Sequence, residues 1–287
     1  MTQAVQVSGL RKTYTTKKVT TAAVDGVDLS INTGEIFALL GPNGAGKSTT
    51  VEILEGYRHR DAGEVSVLGE DPQTAGTRWR ERIGIVLQNT KDLSLLTVRE
   101  SLRTFSYYYP NARGADELME LVGLSGKADA KLTALSGGQR RRMDVALGII
   151  GRPELLFLDE PTTGFDPEAR RQFWDLIRQL RADGTTILLT THYLDEAEAL
   201  ADRVGVINAG KVIEVNTPDR LGGRHGAEAT VRYRDPSGEL VSIGTNTPTE
   251  TVRELMQRFD NAEIPELTVA RPSLEDVYLK MIGVPAA

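Results

Sequence analysis

The chain has 287 residues, 40% of them hydrophobic and 26% charged, which suits one large α/β domain plus a small second one and leaves no room for two large domains. Asp and Glu outnumber Lys and Arg by 40 to 34, for a net charge of -6, a balance opposed to a surface that must neutralise nucleic-acid phosphates. No cysteine is present, so disulfides, thiolate zinc sites, iron–sulfur ligation and cysteine nucleophiles are excluded together.

Residues 1–10 lack the basic-then-apolar layout of a signal peptide. The longest apolar runs, such as 36–40 and 187–189, are strand-sized and far from the ~20 residues a membrane helix needs. The expectation is a folded cytosolic chain without a membrane span. The alternation of Val5 and Val7, then of Val24, Val27, Leu29 and Ile31, predicts half-buried strands of an antiparallel β layer, closed by a turn at 32–34. A buried strand follows at 36–40, then a glycine-rich turn and a helix from Lys47 to about Gly56. From about 93 to 150 the spacing of Val98, Leu102 and Phe105, of Leu118, Leu121 and Val122, and of Met143, Val145, Leu147 and Ile150 is helical. Strand patterns return at 155–158 and 186–190 around an amphipathic helix carrying Phe173, Leu176, Ile177 and Leu180, an order that implies a parallel sheet with crossover helices. Pro, Gly and charge at 217–226 mark a linker. The predicted division is 1–220 and 221–287, the second part a small α+β unit whose last helix is announced by Ser273 with Asp276 three residues on.

Three motifs carry chemistry. Gly41-Pro42-Asn43-Gly44-Ala45-Gly46-Lys47-Ser48-Thr49 fits G-x-x-x-x-G-K-[ST] between a predicted strand and a predicted helix, the context a phosphate loop requires. Its glycines let backbone N–H groups converge on phosphates, with Lys47 reaching the β- and γ-phosphates and Ser48 ligating Mg²⁺. A buried strand ends in Asp159 and Glu160, the first suited to a Mg²⁺ contact and the second to activating water. Ser136-Gly137-Gly138-Gln139 opens a helix and reads as a second anion nest or as an ordinary helix cap.

Leu135 to Gln139 is the sequence Leu-Ser-Gly-Gly-Gln, and here the chain resembles the ABC ATPase family, over roughly residues 4 to 218. The resemblance implies a P-loop NTPase core with an antiparallel β layer and a helical subdomain at about 93–150, plus an accessory C-terminal domain. It also implies that Tyr14 stacks on adenine, that Gln88 joins the metal site to the helical subdomain, that Asp166 lies on the loop crossing to an opposite subunit, and that His192 meets the γ-phosphate. The implied cofactors are ATP and Mg²⁺. The implied partners are a second copy, head to tail, and a separate membrane permease, which would place the chain at the cytoplasmic face of the membrane. Pro272-Ser273-Leu274-Glu275-Asp276-Val277-Tyr278-Leu279 is similar to the ending of drug- and antibiotic-exporter ATPases of the daunorubicin-resistance type. The alternative is a soluble ABC ATPase of cluster assembly, translation or DNA repair. Some of Phe105, Tyr107, Tyr108 and Tyr109 are expected to pack inside the helical subdomain, with a docking groove as the competing reading. Arg140, Arg141 and Arg142 are expected on a solvated helix face, or with one of them in an ion pair.

Overall fold

The computed structural model describes residues 2–16, 19–86 and 95–283, which divide into two units, Met1–Val215 and Asn216–Ala287. The division falls just ahead of the linker expected at 217–226. The amides of Arg220 and Leu221 both bond back to Thr217 O, at 3.0 Å, so this stretch is a local turn of the second unit.

The strands of the first unit are β1 (Gln3–Thr16), β2 (Val19–Asn32), β3 (Ile36–Leu40), β4 (Ala62–Val67), β5 (Ile83–Val86), β6 (Leu155–Asp159), β7 (Thr186–Thr191), β8 (Arg203–Asn208) and β9 (Lys211–Asn216). Its helices are α1 (Lys47–Leu54), α2 (Thr77–Arg80), α3 (Val98–Ser106), α4 (Ala115–Leu121), α5 (Gly137–Ile149), α6 (Pro167–Ala182) and α7 (Leu194–Leu200). The antiparallel layer has the order β2-β1-β4, and a six-stranded sheet has the order β5-β6-β7-β3-β8-β9. Ladders β3–β7, β3–β8, β5–β6 and β6–β7 are all parallel, as the alternation of buried strands and amphipathic helices requires. Every residue of β3 is buried, because a parallel strand covered on both faces has no solvated side.

The alternating residues of the β layer bury one face: Val5, Val7, Val24, Val27, Leu29 and Ile31 meet Phe37, Leu39, Ile53, Leu54 and Phe157 in a single core. At about 1.5–3 kcal/mol per fully buried aliphatic or Phe side chain, this core is what fixes the layer against the sheet. Trp79 closes its end, buried, with Nε1 donating to Val67 O at 2.8 Å. The helical region contains α3, α4 and α5; α3 begins at a reciprocal cap between Thr97 and Glu100.

The second unit has β10 (Ala229–Arg234), β11 (Leu240–Thr245), β12 (Thr268–Ala270), α8 (Pro248–Arg258) and α9 (Leu274–Met281), with an antiparallel sheet β11-β10-β12. Val231, Tyr233, Leu255 and Ile264 form its core. Ser273 caps α9 as its spacing predicts: Asp276 N donates to Ser273 Oγ at 3.1 Å and Ser273 N donates to Asp276 Oδ2 at 2.7 Å. The turn at Leu221–Gly226 packs on α9 through Gly222, whose φ is 58° and whose Cβ, were one present, would lie 2.2 Å from Val277 Cγ1; no larger residue fits there. Among the described residues, no helix is long and apolar enough to cross a membrane.

Candidate active site

The loop from Gly41 to Gly46 leaves the buried strand β3 and delivers the chain to the N-terminus of α1. Side chains are excluded at two points of this path. A Cβ on Gly41 would come within 2.3 Å of Ile207 O, and one on Gly46, at φ 107°, within 2.4 Å of Ala23 O. Ala45 N bonds Pro42 O at 3.1 Å, and Gly210 N bonds Ala45 O at 2.9 Å, so the loop is held from both sides. The first amides of α1 have no carbonyl one turn back, and together with the helix dipole they make an anion site. Lys47 is buried and turned onto its own loop, Nζ donating to Gly41 O at 2.7 Å and Pro42 O at 3.2 Å. Burial lowers the ammonium from its ordinary value, while Glu160 and Asp159 oppose that shift. A 240 Å³ cavity over the loop is lined by Asn43, Gly44, Gly46, Lys47, Ser48, Thr49 and Glu160, with Ala23. The phosphate loop and the carboxylate thus share one space.

Asp159 and Glu160 reach that space because β6 pairs in parallel with β7, placing Asp159 opposite Thr190. Thr190 Oγ1 donates to Asp159 Oδ1 at 2.5 Å, and Glu160 N donates to Thr190 O at 3.1 Å. Glu160 has a φ of 43°, a left-handed conformation that costs a non-glycine residue about 1–3 kcal/mol and persists only where surroundings impose it. Here the Thr190 contacts impose it. His192, two residues further, brings Nδ1 to 3.3 Å from Glu160 Oε1. Ser48 and Asp159 offer oxygen donors, and no group of three His, Asp or Glu among the described residues could hold a metal unaided. That donor set fits Mg²⁺, which binds through few protein oxygens and completes its shell with phosphates and water.

The remaining predicted residues lie elsewhere. Ser136, Gly137, Gly138 and Gln139 open α5 in a reciprocal cap, Gln139 N donating to Ser136 Oγ at 3.3 Å and Ser136 N to Gln139 Oε1 at 3.1 Å, and none of the four lines the phosphate cavity. Asp166 caps α6, accepting from Ala169 N at 2.7 Å, and is exposed. Tyr14 on β1 is half-buried, with its hydroxyl 3.5 Å from Thr49 Oγ1 at the start of α1. Gln88 lies outside the described residues.

Arg141 corrects the expectation of a solvated arginine face. It is 7% exposed, and its guanidinium donates to Asp159 O at 2.7 Å and Pro161 O at 3.0 Å, bracketing the carbonyls on either side of Glu160. Burial pulls it below its ordinary value, against the attraction of Asp144, Asp159 and Glu196. The signal was present: Arg141, Val145 and Ile149 are spaced four apart on the buried stripe of α5.

The aromatic cluster is divided between packed and exposed rings. Tyr107 and Tyr108 are 88% and 72% exposed. Phe105 and Tyr109, half-buried, line a 480 Å³ groove together with Ile83, Ile85, Met143, Leu147 and Glu55. Glu55 is buried there, and desolvation, with Asp159 and Glu52 nearby, pushes its carboxyl up to about 8.

Comparison with known proteins points the same way. The model of the family described as ABC transporter matches residues 24–163. The chain is 38% identical to the daunorubicin/doxorubicin resistance ATP-binding protein of Streptomyces peucetius, over 99% of this chain and 94% of that protein. It is 39% identical to the Nod factor export ATP-binding protein I of Burkholderia orbicola, over 91% and 92%. Among solved structures, an ATP-binding cassette seen as a dimer in a post-hydrolysis state with ADP and Pi superposes with a TM-score of 0.68 at 26% identity, covering 74% of this chain and 98% of that one.

Two consequences are measurable by urea unfolding. Arg141→Met leaves one buried and one partly buried carbonyl without their donor and should destabilise the chain by about 2–4 kcal/mol; a change within error contradicts the bracketing of Glu160. Glu55 binds its proton more tightly folded than unfolded, so it lowers stability progressively as pH rises from about 5 to 8. Glu55→Gln removes that dependence, and the variant should gain on the wild type across this window. A difference independent of pH contradicts a desolvated carboxyl.

Proposed function

The chain belongs to the ABC transporter family as an ATP-hydrolysing, ATP-binding subunit, and from that premise we propose that it powers an exporter by ATP-driven pairing of two copies beneath a separate membrane permease. The observation that carries this reading is the division of the site. Lys47, Ser48 and Glu160 share one cavity, while Ser136 to Gln139 line no part of it. An anion nest at a helix start that cannot serve its own chain's phosphates is suited to those of a partner. In this reading two copies meet head to tail, each placing Ser136, Gly137, Gly138 and Gln139 over the ATP of the other, with Asp166 on the crossing loop and Tyr14 against adenine.

The chemistry assigned to the site is in-line hydrolysis. A water held by Glu160 gives up a proton to that carboxylate as its oxygen bonds to the γ-phosphorus. The bond from that phosphorus to the β,γ-bridging oxygen breaks, leaving ADP and phosphate. Lys47 exchanges Gly41 O and Pro42 O for phosphate oxygens, and His192 places a donor where charge grows on the transferred group. Ser48, Asp159 and Gln88 would hold Mg²⁺, which when bound would supply charge compensation. Arg141 keeps Asp159 and Glu160 in register with the helix that carries Ser136.

The 480 Å³ groove lined by Ile83, Ile85, Phe105, Tyr109, Met143 and Leu147 is the proposed seat of a short helix from the permease. That partner would hold the chain at the cytoplasmic face of the membrane. The relatives bear names of drug resistance and Nod factor export, and the cargo class proposed for this chain is drugs, antibiotics or lipid-like compounds.

Lys47→Ala should abolish hydrolysis and weaken ATP binding, because it removes the charge that spans the β- and γ-phosphates. His192→Ala should keep ATP binding and lose turnover, since its contact matters as charge develops. Phosphate release and equilibrium ATP binding measured on both variants decide the assignment. Near-normal turnover in Lys47→Ala removes the phosphate loop from the mechanism, and lost affinity with intact turnover in His192→Ala removes the histidine.

A further inference from the structure

Tyr14 is tied to the helix of the phosphate loop at two points. Its hydroxyl meets Thr49 on the first turn of α1, and the guanidinium of Arg58 lies over its ring, 5.2 Å from the centroid. Arg58 is itself held from α1: Nε donates to Glu52 Oε2 at 2.5 Å and the backbone amide donates to Glu52 O at 2.9 Å. A second cation, Lys12, stands 6.0 Å from the same ring, but its ammonium is engaged by Asp61 at 2.7 Å. Arg58 is the nearer of the two cations, and its guanidinium is a planar and weakly hydrated group suited to stacking on one side while pairing with a carboxylate on the other.

We propose that Arg58, clamped by Glu52, is a positioning residue that acts through Tyr14: it covers one face of the ring and fixes it, so that the opposite face is ready to stack the base of the bound nucleotide. The inference rests on the reading of Tyr14 as the base platform. Its physical content is preorganisation. A tyrosine on a β hairpin loses side-chain freedom when a base stacks on it, and a ring already pinned at its hydroxyl and one face has lost that freedom beforehand. The effect concerns the base alone, since Arg58 does not line the phosphate cavity. Lysine at this position would keep the charge but not the planar contact.

The test uses the full chain with two probes, Mg-ATP and Mg-tripolyphosphate, the second having phosphates without a base. Arg58→Met should weaken ATP binding and raise KM by about three- to tenfold, the loss falling on KM rather than kcat, with tripolyphosphate binding as in the wild type. Arg58→Lys should lie between the two, and Glu52→Gln should shift ATP binding in the same direction as Arg58→Met. Three results overturn the proposal: unchanged ATP affinity in Arg58→Met, tighter ATP binding, which would mean that Arg58 occupies the place of the base, or equal losses for both probes, which would mean a structural role at the end of α1. Tyr14→Ala separates the two levels. If it leaves ATP affinity intact, the platform reading fails and the proposal with it; if it weakens ATP binding while Arg58→Met does not, only the role of Arg58 fails.

Discussion

Parallel pairing of β6 with β7, and of β7 with β3, is the constraint on which the rest of the site depends. Parallel strands end at the same edge, so the loop after β3, the carboxylates at the end of β6 and the histidine after β7 must emerge together. Thr190 makes that coincidence specific. Its hydroxyl donates to Asp159 and its carbonyl accepts the amide of Glu160, which turns Glu160 into a left-handed conformation and toward the cavity shared with Lys47. A one-residue slip of β7 would remove the contact and point the carboxylate elsewhere.

From that edge the architecture divides labour. In the proposed reading the groups that hold phosphates and activate water come from strand ends of the sheet and the start of α1, whereas Ser136 to Gln139 come from the helical region and line no part of that cavity. Arg141 joins the two. Five residues after Ser136, it reaches from α5 to the carbonyls of Asp159 and Pro161, so a displacement of α5 would be felt on both sides of Glu160 through two hydrogen bonds, one buried and one partly buried. The groove carrying Glu55 lies on the same helix, against Met143 and Leu147. A partner seated in that groove and a nucleotide at Ser136 would thus both act on α5.

Much of this was legible in the residues. The glycines of 41–46 declare themselves by their motif spacing, and at two of them, Gly41 and Gly46, a Cβ would meet the carbonyls of Ile207 and Ala23; the strand ending in Asp159 and Glu160 declares itself because a fully apolar run followed by two acids has one sensible place in an α/β sheet. Strand periodicity likewise exposed the β layer, and Ser273 with Asp276 announced α9. What stayed hidden depends on tertiary neighbours. Arg141 is one of three consecutive arginines; its four-residue spacing to Val145 and Ile149 marks it as the buried one, but the carbonyls it meets on Asp159 and Pro161 come from a distant segment. Tyr107 and Tyr108 have the composition of a core yet are exposed, because helix α3 ends at Ser106 and the chain turns outward there. The Arg58 contact joins residues 44 positions apart across two elements, a separation at which local pattern carries no information.

The central claim is that Ser136 acts on nucleotide held by another chain, and size-exclusion chromatography with light scattering tests it most directly. Glu160→Gln with Mg-ATP should run as a dimer, because the uncleaved γ-phosphate keeps the two chains together. Adding Ser136→Arg fills the space meant for the partner's phosphates without touching the chain's own loop, and the double variant should bind ATP as a monomer. A double variant that still dimerises on ATP, or a folded one that no longer binds ATP, contradicts the shared site.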